Sequence, residues 1–239
     1  MPHRLESAEK FAPKLALPRL YLISPGLHGP AYDLVEAARV AFEAGARLLQ
    51  VREPHLMDGP LLSLVEALVE VARPHQAQLY VNAGKGAGMR IARKLKLGVH
   101  LDAAWPVGGV RKELQGLPVG ASAHTPMEVA RAVAGRADFV LLSPVLEAPA
   151  GSPVPAFGLQ GLQTLSRKTP LPLFVMGGVE QKDIPELLSA GAHGIAARAQ
   201  VFCPSLEGQR ISDIDLAPPP DLPWIAAAVS RLLEALAGA

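Results

Sequence analysis

A (β/α)8 TIM barrel, an α/β fold of eight alternating strand–helix units, is the architecture three observations predict. Short β-rich apolar runs recur eight times along the 239 residues, each followed by apolar residues at helical spacing. The units follow one another closely, which favours a closed parallel barrel over an open doubly wound sheet. The last two runs end in small residues with free backbone N–H groups, at Gly177-Gly178 and just past Gly194–Ala197. Such paired strand ends form an anion cradle, which in barrels usually follows strands seven and eight.

Strand one is Arg19–Ser24, closed by Pro25-Gly26, and a helix over Tyr32–Ala44 stops at Gly45. Strand two is Leu48–Arg52, with a helix from about Gly59 to Ala72. Strand three is Gln78–Asn82 and its helix Gly88–Leu95; strand four is Gly98–Leu101 and its helix Val107–Leu114. Pro118–Ser122 and Met127–Ala134 form the fifth unit. Phe139–Ser143 is strand six, trailed by a proline-rich loop to Phe157 and a helix over Leu159–Arg167. Leu173–Phe202 holds the last two units, with a small-residue turn after strand eight. The chain reads as one domain, 1–239: an N-terminal extension, barrel units over about 19–202, an extended proline-rich connection over 203–223 and a closing amphipathic helix over 224–237.

Composition narrows the function. A net charge of +1 gives no basic field for nucleic acid. No window offers about 20 unbroken apolar residues, so no membrane span is expected. The single cysteine, Cys203, excludes an internal disulfide framework or a Cys-based zinc cluster and points to the reducing cytoplasm. Proline, at 23 of 239, is about twice ordinary usage, and Asn82 is the only asparagine. Both fit a heat-adapted source, as would a GC-rich genome.

Barrel chemistry sits at the C-terminal strand ends. His124 is the leading acid/base candidate there. Ser122 and His124 share a strand face, and Thr125-Pro126-Met127-Glu128 matches a capping box that starts a helix directly after the histidine. The positive helix end favours a neutral ring able to take a proton; the plainer reading is a histidine that packs at a strand end. His100 lies inside strand four and is expected to face a helix. Asn82 either orients a planar substrate or makes a turn before Ala83-Gly84. Arg52 either forks onto a carboxylate or phosphate or pairs with Glu53. Arg198 is a second phosphate ligand or a solvated turn residue. No His/Asp/Glu cluster has metal spacing, and Asp102 is read as the only acid directly at a strand end.

Together, the segments LYLIS, QVRE, YVNAGKG, GVHLD, GASAHTPMEV, DFVLLSPVLEAP, FGLQGL, VMGGV and GAHGIAARAQVF resemble the thiamine phosphate synthase/TenI family from Arg19 to Phe202. The resemblance implies a (β/α)8 barrel that holds a thiazole phosphate over its last two strand ends. The synthase branch joins an aminomethylpyrimidine diphosphate to that phosphate with Mg2+ held by two aspartates. Here its Arg-Glu-Lys reads Arg52-Glu53-Pro54, its Asn-Asp reads Asn82-Ala83, and its second aspartate falls on Trp105. Its Thr-x-Thr-Lys aligns with Ala148-Pro149-Ala150-Gly151. These losses remove the groups that stabilise a departing diphosphate.

The resemblance therefore implies the TenI branch, which includes aromatising thiazole tautomerases, with no cofactor and no Mg2+. It implies His124 as catalytic residue, Arg52, Asn82 and Ser122 as substrate-binding, and Gly177, Gly178, Arg198 and Ala199 as phosphate-binding. Ala199 departs from the serine that TenI-like chains carry there. The expected partner is a small phosphorylated heterocycle, with a homo-oligomer left open. The rival readings are a synthase with a rearranged site, recruiting Asp102 to metal, and a non-catalytic regulatory barrel that kept the phosphate pocket. A phosphate-binding isomerase of another pathway fits the SAHT and VNAG segments less well.

Overall fold

The computed structural model describes residues 16–26, 32–84, 86–114, 116–147, 154–203 and 220–239. Eight parallel strands close a barrel in chain order: β1 (Leu20–Ile23), β2 (Leu48–Val51), β3 (Gln78–Asn82), β4 (Gly98–Leu101), β5 (Val119–Ala123), β6 (Phe139–Leu142), β7 (Leu173–Val175) and β8 (Gly194–Ala197). The helices are α1 (Leu34–Glu43), α2 (Asp58–Ala72), α3 (Ala87–Leu95), α4 (Val107–Glu113), α5 (Pro126–Ala134), α6 (Gly158–Lys168), α7 (Ile184–Ser189), α8 (Ala199–Phe202) and α9 (Leu222–Ala237). The (β/α)8 expectation is met. Most strands are buried at every position, as parallel strands covered on both faces must be.

Local chemistry explains the boundaries. Asp33 caps α1 by accepting the Glu36 N–H at 3.0 Å, and Asp221 caps α9 by accepting the Trp224 N–H at 3.0 Å. The second cap starts the closing helix two residues before its expected position. The small-residue turn expected after β8 is instead the one-turn helix α8, because Arg198 offers its carbonyl to the N–H groups of Val201 and Phe202. Residues 1–15 of the N-terminal extension, 148–153 of the proline-rich loop and 204–219 of the long connection lie outside the described residues. No helix among the described residues is long and apolar enough to cross a membrane.

Two compact units are distinguished: residues 16–19 with His100–Ile195, and Leu20–Val99 with Ala196–Gly238. In the first, Gly120 aligns with Phe139, Ser122 with Leu141, and Leu141 with Phe174. Gly120 is glycine because a Cβ there would stand 2.2 Å from the Phe139 ring. Phe139 then meets Phe174 edge-on at 5.3 Å, and Phe174 meets His193 at 5.1 Å. In the second, Gln50 aligns with Tyr80, and Tyr21 meets Tyr80 edge-on at 6.2 Å. Here α9 packs against α1 and α8.

Candidate active site

In the unit built on β5–β7, His124 follows directly on β5. Thr125 caps α5 by accepting the Glu128 N–H at 3.3 Å, and Glu128 accepts the N–H of Thr125 at 3.1 Å and of His124 at 2.6 Å. The expected capping box therefore forms and also fixes the histidine backbone. The ring is fixed separately, with Nδ1 at 2.5 Å from the Ser143 carbonyl oxygen at the end of β6. A carbonyl only accepts, so this contact assigns the hydrogen to Nδ1 and leaves the Nε2 lone pair available in the neutral ring. Among the described residues Nε2 has no partner. An oriented imidazole with one free nitrogen is what a single-site proton carrier requires.

Ser122, two residues earlier, places Oγ at 2.8 Å from His100 Nε2. This corrects the expectation that His100 faces a helix: it is buried on the Ser122 side, tilted against Phe139 at 5.9 Å. A strand buried on both faces shows no alternation that would reveal which way a residue points.

Gly177 and Gly178 both have positive φ, 101° and 67°. A Cβ on Gly177 would stand 2.8 Å from Pro144 Cα, and one on Gly178 would stand 2.5 Å from Glu147 Cβ. The segment after β6 lies directly on the pair, donating the Val145 N–H to the Met176 carbonyl and those of Leu146 and Glu147 to the Gly177 carbonyl. Packing alone thus demands both glycines. Their own N–H groups have no acceptor among the described residues, which leaves two amides for an anion.

In the other unit, Asn82 closes β3. Its Oδ1 accepts the Gly84 N–H at 3.0 Å, and its Nδ2 donates to Gln50 Oε1 at 3.4 Å. Gln50 Nε2 in turn donates to the Tyr21 hydroxyl at 2.9 Å. The turn expected of Asn82 is formed, through Oδ1 alone. Behind it, a Cβ on Gly88 of α3 would stand 1.8 Å from the Asn82 carbonyl oxygen. Gly88→Ala is expected to lever α3 off the end of β3 and to cost about 3 kcal/mol. An unchanged melting temperature in the variant would refute this account of the helix–strand contact.

Arg52 and Glu53 form no ion pair, contrary to the structural alternative for Arg52. The Arg52 backbone N–H donates to Ser24 Oγ at 2.7 Å, and its guanidinium has no hydrogen-bond acceptor among the described residues. Glu53 is 7% exposed. Burial pushes its carboxyl up to about 7, against the pull of the Ser24 hydroxyl, the Gly26 N–H, Arg198 and Arg52. Arg198 is half-buried, and its Nε and Nη2 donate to the Pro25 carbonyl at 3.3 and 2.9 Å, which uses two of the five guanidinium N–H donors. Burial, then Arg52, lowers its pKa. Ala199 opens α8, a helix of one turn.

In sequence Glu53 stands out only as a partner for Arg52. Its burial arises from contacts with Gly26, 27 positions away, and no local pattern announces it. The Mg2+ ligand set that the family resemblance would bring does not fit this chain, since Ala83 and Trp105 offer no side-chain oxygen. No group of three or more His, Cys, Asp or Glu able to hold a metal occurs among the described residues. The Ala148–Gly151 stretch lies outside them.

Comparison with known proteins agrees with this architecture. The family model of thiamine monophosphate synthase matches residues 20–201. A putative thiamine-phosphate synthase of Geobacter sulfurreducens is 32% identical over 183 residues, covering 74% of this chain and 83% of that protein. A thiamine-phosphate synthase of Mycobacterium sp. (strain KMS) is 32% identical over 224 residues, covering 87% and 97%. In fold, the chain is similar to a thiamine phosphate pyrophosphorylase from Pyrococcus furiosus, with a TM-score of 0.73 at 21% identity over 92% of this chain and 96% of that one. The chain belongs to the thiamine monophosphate synthase family.

Proposed function

We propose that this chain binds a thiazole phosphate and aromatises a thiazole carboxylate phosphate by transferring one proton. The observation that carries the reading is the His124 ring, held through Nδ1 on the Ser143 carbonyl with Nε2 unpartnered among the described residues. In this reading Nε2 takes the proton from the C2 ring carbon, and the resulting imidazolium returns it to the exocyclic carbon. The sum is an isomerisation, with nothing gained or lost. The free amides of Gly177 and Gly178 are assigned to the phosphate, and Ser122, steadied by His100, to the ring. The resemblance further implies that Arg52, Asn82 and Ala199 contact substrate. Arg52 keeps the freest side chain of the three, while Asn82 is drawn into its turn. The resemblance implies the same of Arg198 toward the phosphate, and its Nη1 donors remain for that role while Nε and Nη2 hold Pro25.

A second reading, thiamine-phosphate synthase, is favoured by the names of relatives 32% identical over most of this chain. Against it stand Pro54, Ala83 and Trp105 at the positions of a family lysine and two family aspartates. One pair of assays separates the readings. Given the non-aromatic thiazole carboxylate phosphate, the chain is expected to raise aromatic absorbance well above the uncatalysed rate. Given the pyrimidine diphosphate, thiazole phosphate and Mg2+, it is expected to release no diphosphate above background. Diphosphate release with no isomerisation would establish the transferase instead.

A further inference from the structure

The ends of β1, β2 and β8 converge on one turn, Pro25–Gly26, which is held from both chemical sides. From β2, Glu53 Oε1 accepts the Gly26 N–H at 3.2 Å, and the Ser24 hydroxyl also bonds to this carboxyl. From β8, Arg198 donates Nε and Nη2 to the Pro25 carbonyl at 3.3 and 2.9 Å. Ser24 Oγ accepts the Arg52 N–H at 2.7 Å, closing the set. Pro54 completes the packing: a Cβ on Gly26 would stand 3.4 Å from both Pro54 Cδ and the Arg52 carbonyl oxygen. The segment Arg52–Pro54, where this chain departs from the family lysine, is thus built onto the turn.

We propose that Glu53 and Arg198 form a pH-sensitive latch on the Pro25–Gly26 turn, closed when Glu53 is ionised and loosened when it is protonated. The ionised carboxylate is the stronger acceptor for the Gly26 N–H, and it attracts the Arg198 guanidinium that holds Pro25. Protonation weakens both holds together. With Glu53 raised by burial to about 7, the change falls near neutrality. The other charged or titratable groups facing Glu53 are Arg52, Arg198, Tyr32, Cys203 and His55, the last with Nδ1 at 3.8 Å from Oε2. Burial pushes the Tyr32 phenol upward and the Cys203 thiol to about 12, so both stay neutral as Glu53 titrates. Both arginines remain cationic. The latch uses no substrate and stands apart from the proposed reaction.

Amide hydrogen exchange on the full chain, read on a peptide spanning 20–26 and corrected for intrinsic rate, tests it. From about pH 8 to about pH 6 the ionised fraction falls from roughly nine-tenths to one-tenth, and protection of the turn is expected to fall several-fold. Peptides of α9 serve as the internal reference. His55→Gln is expected to keep the response, Glu53→Gln to abolish it, and Arg198→Met to lower protection at both pH values. A wild type indifferent to pH, or the same response in Glu53→Gln, overturns the latch. A full response lost in His55→Gln assigns the titration to the histidine and overturns it too. Undiminished protection in Arg198→Met removes the arginine's share. Should Arg198→Met fail to fold, Glu53→Gln alone still decides.

Discussion

His124→Ala is expected to slow thiazole aromatisation by about 10²–10⁴-fold while leaving affinity for the thiazole phosphate within about threefold of wild type. The loss equals about 3–5 kcal/mol of barrier. It is large because the ring is positioned by two independent devices. The α5 capping box fixes its backbone, and the Ser143 carbonyl fixes its Nδ1. Affinity is spared because the proposed phosphate contacts are backbone amides of another strand end. Single-turnover aromatic absorbance, with calorimetric binding of the product, separates the two terms. Equal turnover by both proteins reduces His124 to a strand-end packing residue, and the proposed reaction falls with it.

The second large effect concerns stability. Glu53 titrates at about 7 in the fold against an ordinary 4.5, so between those values the native state binds more protons than the unfolded chain. Stability therefore declines as pH rises through that window and levels off above it. The shift sets the decline at about 3 kcal/mol. Glu53→Gln removes the titration and keeps an acceptor for the Gly26 N–H. It is expected to melt without this slope and to exceed wild type at pH 8. Parallel stability curves for the two proteins would show that Glu53 carries no buried charge. The turn and the whole fold thus respond to pH in opposite directions: ionisation tightens Pro25–Gly26 locally and burdens the buried carboxylate globally.

The elements were legible because barrel strands and helices are announced locally. Apolar runs such as Phe139–Leu142, capping at Thr125 and stops at Gly45 depend on residues a few positions apart. His124 could be placed for the same reason, since the helix signal that follows it fixes its register. The rest was written in distant contacts. Arg198 reads in sequence as a phosphate ligand or a solvated turn residue, and its bond to Pro25, 173 positions earlier, has no local signal. Asn82 is held by Gln50, 32 positions away, as well as by its neighbour Gly84. In sequence the glycine pair signals an anion cradle, yet close approach of Pro144 and Glu147 is sufficient cause for both residues. Burial of Glu53 had no local signature at all.

Trp224 donates Nε1–H to the Gln200 carbonyl of α8 at 3.0 Å, and the Arg231 guanidinium lies 4.9 Å from its ring centroid. The only other tryptophan is Trp105. With Trp105→Phe the molecule becomes a single-emitter protein, its indole coupled by one hydrogen bond to the residues that follow β8. Fluorescence then reports on that segment without any attached dye.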